Sequence, residues 1–199
     1  MKFQLFAAAA LLAACTACSG GPDINGAWTS TPTRIDNEIA IASDATSVLT
    51  MDFDAPKGAK SGDVTLSAVI NANQPVESGT IAGFDEPYEV NVTATATING
   101  KWSYDDGDRD DIVIFLDRST LTVAVDPDGV VYSQNLLTGM EQPRVDSLTA
   151  VTADRWRSAV RSAATGQFIS LDKLDDVKVT GDILSCEVGK RDLTFHRSM

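Results

Sequence analysis

The 199-residue sequence holds one histidine, His196, and three cysteines, Cys15, Cys18 and Cys186. A histidine-rich zinc site is thereby excluded, and the cysteine spacing gives no zinc motif. A Ser-His-Asp or Cys-His arrangement would have to use His196, which stands near a wet strand end with no nucleophile motif in sight. Basic charge is scarce as well: 16 Lys and Arg stand against 28 Asp and Glu, a formal charge of −12. Such a chain is a poor partner for nucleic acid, and an anionic membrane surface repels it. No apolar run reaches the ~20 residues that a spanning helix needs. A phosphate-cradling glycine loop is missing; the 14 glycines mostly mark turns. Nothing selects a pair of carboxylates for glycoside hydrolysis. Together these absences argue against an enzyme and against a bound cofactor.

What is present begins at the N-terminus. Lys2 supplies a positive charge, Phe3 to Leu12 is a short apolar run, and Leu12-Ala13-Ala14-Cys15 follows. That order is a secretory signal with a small-residue cleavage site. Ending in Cys, it resembles the lipobox of bacterial lipoproteins. The resemblance implies that residues 1–14 are removed and that Cys15 becomes an acylated first residue. Membrane attachment then comes from lipid, not from a basic patch. Residues 15–23, with Ser19-Gly20-Gly21-Pro22-Asp23, read as the lipidated Cys and a flexible tether, and residues 24–199 as one domain. Thr16 is not the acidic retention signal of some inner-membrane lipoproteins. The tether also lacks the acidic stretch that accompanies surface export. The resemblance therefore implies an outer-membrane lipoprotein facing the periplasm, with the cell surface as the other location. A disulfide between Cys18 and Cys186 is one option; the other is that Cys186 is a small buried apolar residue and Cys18 a free neighbour of the anchor.

Beyond the tether the hydrophobic period is two. Val90, Val92, Ala94, Ala96 and Ile98 alternate with Glu89, Asn91, Thr93, Thr95 and Thr97, which predicts a half-buried strand. Leu121, Val123 and Val125 alternate in the same way, as do Leu184, Cys186 and Val188, and Leu193 and Phe195. Shorter strands are expected at 26–30, 47–54, 63–71, 129–133 and 176–180. Asp126-Pro127-Asp128-Gly129 reads as a hairpin connection with Gly129 left-handed. Ile112 to Leu116 is continuously apolar, so both its faces should be covered. One segment, 153–165, has helical spacing: Ala153, Trp156, Ala159, Val160, Ala163 and Ala164 share a face, with Thr152 as N-cap and Gly166 as stop. Ile24-Asn25-Gly26-Ala27-Trp28-Thr29 recurs as Ile98-Asn99-Gly100-Lys101-Trp102-Ser103, with four identities among six residues.

Gly26-Ala27-Trp28, on the first strand after a secretion signal, resembles the Gly-x-Trp signature of lipocalins and related calycins. The wider layout, with Trp102 in mid-chain and Phe195-His196-Arg197 at the end, is similar to small lipocalin-like lipoproteins of the Bacteroidota envelope. The resemblance implies an antiparallel barrel whose signature Trp plugs one end under a basic residue of the last strand. Alternation puts Arg197 on the same face as Leu193 and Phe195, so Trp28 and Arg197 form the expected barrel-closing pair. The fold class is thus mainly β: a lipocalin-like barrel of about eight to ten strands with one helix near 153–165, a two-sheet sandwich being the alternative.

Two functions from different classes follow. In one, the barrel holds a small apolar or amphipathic ligand against Val90, Val92, Ala94, Ala96, Leu121, Val123 and Val125. Ala94 and Ala96 then either leave room for that ligand or allow a bulky neighbour to pack closely. In the other, the domain is solid and binds an envelope protein, with Arg155, Arg157 and Arg161 as a rare basic face. For metals, Asp106, Asp108 and Asp110 imitate the opening of a calcium loop. The sixth position is Asp111 instead of glycine, so a solvated turn is the default reading.

Overall fold

The structure, a computed structural model, describes residues 21–105 and 110–198. Cys15, Cys18, Asp106 and Asp108 lie outside the described residues. Among the described residues the chain forms β1 (Gly26–Ser30), β2 (Thr33–Arg34), β3 (Asp44–Asp54), β4 (Ser61–Val76), β5 (Tyr88–Tyr104) and β6 (Ile112–Tyr132). Then come α1 (Gln134–Gly139), α2 (Gln142–Ile169), β7 (Lys173–Thr180), β8 (Ile183–Val188) and β9 (Arg191–Arg197). All strand pairs are antiparallel. β3 to β9 pair in sequence order, β9 pairs with β1, and β1 returns to β3, so one sheet closes on itself. β1 and β2 share one edge of β3: β1 covers Thr50 to Phe53 and β2 covers Thr46 and Ser47. They act as one broken strand, which makes the ring an eight-membered barrel instead of a sandwich.

The inner face follows the period-two pattern. Ala45, Ser47, Met51 and Phe53 of β3 are buried, as are Val64, Leu66, Ala68 and Ile70 of β4 and Val90 to Ile98 of β5 at alternate positions. Thr93, Thr95 and Asn71 take the wet face, where the Thr93 hydroxyl donates to the Asn71 side chain at 2.9 Å. β6 carries 21 residues, ~70 Å if straight, which exceeds the width of a domain this size. It bends at two bulges. Asp126 to Gly129 stand opposite Thr93 alone, between the Val92–Val130 and Ala94–Val125 pairs, and a second bulge lies at 118–121. The expected hairpin at Asp126-Pro127-Asp128-Gly129 is therefore a bulge inside one long strand, and Gly129 does not adopt positive φ.

The apolar run at 112–116 also departs from expectation. Ile112 and Ile114 face the core, but Phe115 is 65% exposed on the outer face. The helix is longer than its apolar face alone indicates. α2 starts at Gln142 with Pro143 in its first turn and continues through Gly166 to Ile169. Thr152 lies mid-helix, where its hydroxyl meets that of Tyr132 at 3.0 Å. Gly166 is no stop because Ser170 caps the final turn through its backbone N–H.

Gly100 shows how tightly the sheet is folded. A Cβ there would lie 2.6 Å from the Phe115 carbonyl oxygen and 3.2 Å from the Leu116 Cα, both backbone. Gly100→Ala is therefore expected to cost ~1–3 kcal/mol, seen as a lower melting temperature. Gly166, with nothing within 4 Å, is the opposite case. Gly166→Ala should raise stability by ~0.5–1 kcal/mol in the same melt.

Candidate functional site

One face of α2 packs onto the concave inner face of the sheet, while its other face, with Val151, Arg155 and Arg161, is exposed. The Arg161 guanidinium donates to the Leu121 carbonyl of β6 at 3.4 Å, and the Ile114 N–H donates to the Asp172 carbonyl at 2.8 Å. On the opposite wall the inward-facing Ser47 hydroxyl of β3 donates to Gln167 Oε1 at 2.9 Å. The C-terminal half of α2 thus reaches β6 through Arg161 and β3 through Gln167, and the segment after it joins β6 at Asp172. Its Trp156, Val160, Ala164 and Phe168 are all at 0% exposure and share one core with the inner faces of β3 to β6. The small side chains Ala68, Ala94 and Ala96 on the sheet and Ala153, Ala163 and Ala164 on the helix belong to that same core.

Of the expected ligand contacts, Val90, Val92, Ala94, Ala96 and Val125 lie in this core at 3% exposure or less. Leu121 and Val123 are half-buried and pack against it. The lining residues are thus brought together, but around a helix. A polar link at the end of α2 ties it to the rim. Gln167 Nε2 also donates to Glu38 Oε2 at 3.0 Å, so Ser47, Gln167 and Glu38 form a chain from inside the barrel to its rim. The signal was present: Gln167 sits four residues after Ala163 on an otherwise apolar stripe.

The Trp28 end is built differently. Trp28 is fully buried and its Nε1 donates to the Ile24 carbonyl at 2.6 Å. Arg197, its direct partner across the β1–β9 ladder, holds its guanidinium carbon 4.2 Å from the ring centroid. The guanidinium also donates to the Asn25 carbonyl at 2.9 Å. Gly26 adopts φ +104°, and a Cβ there would approach an Arg197 nitrogen to 3.0 Å. The glycine of Gly-x-Trp is thus needed both for its backbone and for the guanidinium. The repeated hexapeptide behaves otherwise. Ile98 lies within β5, and Trp102 Nε1 has no acceptor among the described residues.

Arg155, Arg157 and Arg161 of α2 do not form one face. At 100° per residue Arg157 and Arg161 lie about 40° apart, while Arg155 lies about 160° from Arg157. Arg157 pairs with Asp154, and Arg161 reaches β6. The expected basic patch is therefore split by helix geometry. Near the same end, Val131 and Leu137 line a groove of about 450 Å³ between β6 and the first turns of α2. Val131 is 53% exposed and Leu137 41%.

At the calcium-loop candidate, Asp110 is the described member; its carbonyl accepts the Val177 N–H at 2.7 Å. Asp111 is held by Lys173 at 2.8 Å and accepts the Asp176 N–H at 3.2 Å. That lysine keeps the Asp111 carboxyl below the usual range. Among the described residues no three His, Cys, Asp or Glu side chains converge as metal ligands. His196 is exposed on β9. Cys186 is buried between β7 and β9, and burial, then the Asp175 carboxylate, pushes its thiol up to about 12. Alkylation by iodoacetamide at neutral pH should therefore leave Cys186 unlabelled in the native chain and label it fully in urea, as peptide mass mapping would show.

No described helix is long and apolar enough to cross a membrane. No family model matches the chain, and neither a curated protein nor a solved structure is significantly similar to it.

Proposed function

We propose that this chain is a lipid-anchored envelope protein of lipocalin-like build that works through its outer surface. Cys15 carries the anchor, the outer membrane is the attachment site, and the domain faces the periplasm. The partner is another envelope protein. The observation that supports this reading is the covered inner face of the sheet: the surface that would hold an apolar ligand shares one core with Trp156, Val160, Ala164 and Phe168 of α2. The groove at Val131 and Leu137 offers exposed apolar contact area instead. Lipid attachment suits a chain of net charge −12, which would otherwise be repelled by an anionic bilayer.

A photo-crosslinking residue at position 131 of the full chain, expressed in its own host, tests the reading. A discrete adduct of protein mass is expected, absent when the probe sits at position 65 on the far sheet face. A small-molecule adduct that leaves on denaturation, with no protein adduct, would overturn it. Intact mass of the membrane-extracted protein tests the anchor separately: acylation on Cys15 with loss of residues 1–14 is expected.

A further inference from the structure

The tether enters the fold beside a second concavity. Pro22, Asp23 and Ile24 form one wall, the β3–β4 turn with Lys57 and Lys60 another, and Trp102 and Tyr104 of β5 a third. The cleft measures about 480 Å³ and is open on one side. Its wall is aromatic: the Trp102 and Tyr104 rings meet edge to face at 5.3 Å, and Phe53 packs behind Trp102 at 5.9 Å. The Tyr104 hydroxyl donates to the Pro22 carbonyl, which pins the end of the tether to this wall.

Charge marks the rim. Lys57 and Lys60 are exposed, and neither has an ion-pair partner among the described residues. Lys101 and Lys173, by contrast, are each held by aspartates. These two ammonium groups stand three residues apart on one turn of a chain with net charge −12. Asp23 is the one carboxylate that lines the cleft with them.

We propose that this cleft binds the phosphate headgroup of a phospholipid. Lys57 and Lys60 meet the phosphate, and the part-exposed Tyr104 ring takes the glycerol-ester region, with Trp102, at 3% exposure, backing it at the cleft floor. Aromatic rings with a polar edge and lysines with a long apolar stem are the side chains suited to that boundary. The position of the cleft supports it: extended chain from Cys15 to Pro22 is at most about 25 Å long, so an acylated Cys15 holds the cleft near the headgroups. That last argument rests on the lipid-anchor reading; the binding chemistry does not.

The test uses the chain from residue 15 with Cys15→Ser, which keeps every strand of the ring and carries no acyl group. The probe is dihexanoyl phosphatidylglycerol below its micelle concentration, read by the three tryptophan indole N–H signals in NMR. The Trp102 signal should move saturably while those of Trp28 and Trp156 stay. Lys57→Gln/Lys60→Gln should weaken binding at least about fivefold with an unchanged melting temperature. No saturable shift, or equal affinity in the double variant, would overturn the proposal. Equal saturation by inorganic phosphate would also overturn it, because the ligand would then be a free anion. Because no acyl group is present, failure here is separate from failure to find acylated Cys15 in the cell.

Discussion

Trp156→Ala is expected to lower the free energy of unfolding by ~3–5 kcal/mol. The indole is at 0% exposure, on the helix face turned into the barrel. It shares one core with the inner faces of β3 to β6, and alanine would leave a gap there. A urea titration should show a lower midpoint with an unchanged slope, as for a cavity in an intact fold. Trp156→Phe is the control. The Trp156 Nε1 has no acceptor among the described residues, so phenylalanine removes an unsatisfied donor while keeping most of the volume. Its cost should be well under half that of alanine. A helix that merely covered a ligand chamber would give a different result. Alanine at 156 would then change stability by less than ~1 kcal/mol, because the site would already be hollow.

Trp28→Ala should be as damaging, at ~3–5 kcal/mol, for a different reason. Trp28 sits where β1 bridges β3 and β9, so its loss weakens the seam that closes the ring. Arg197 tests the pair without opening the core. Arg197→Ala should cost ~0.5–2 kcal/mol, the range for a cation over an indole face. The same change made in a Trp28→Phe background should cost less, and a double-mutant cycle measures the difference. Arg197→Lys should recover only part of the loss. An ammonium keeps the charge over the ring but lacks the planar fork that also reaches the Asn25 carbonyl.

The fold was largely legible because period-two alternation is enforced wherever one face is buried. Val90 to Ile98 reads as a strand, and it is one. Leu184, Cys186 and Val188 are buried together, as alternation requires. The Asp126-Pro127-Asp128-Gly129 segment was misread because turn chemistry is local. The same residues suit a hairpin tip and a wide bulge, and only the partner strand decides between them. Here β5 pairs on both sides of the segment, with Val92 and Ala94. Phe115 was misread for a similar reason: an unbroken apolar run does not say which residue the twist turns outward.

The candidate site was less legible. Alternation identified the inner residues of β5, but whether Ala94 and Ala96 face a ligand or a helix depends on where α2 lies. Nothing in the 88–98 segment carries that information. Gln167 on the apolar stripe of α2 was the best clue, since a buried amide needs partners across the barrel. Ser47 and Glu38, more than a hundred residues earlier, supply them. The arginines show the reverse error. Arg155, Arg157 and Arg161 are close in sequence, yet helical geometry separates Arg155 from the other two.

Native-state amide hydrogen exchange across α2 tests the filled barrel most directly. If the helix is part of the core, amides from Trp156 to Phe168 exchange only by global unfolding, as slowly as those of β4 and β5. If those amides exchange orders of magnitude faster while β4 and β5 stay protected, α2 is a lid that opens on its own, and the filled barrel is wrong.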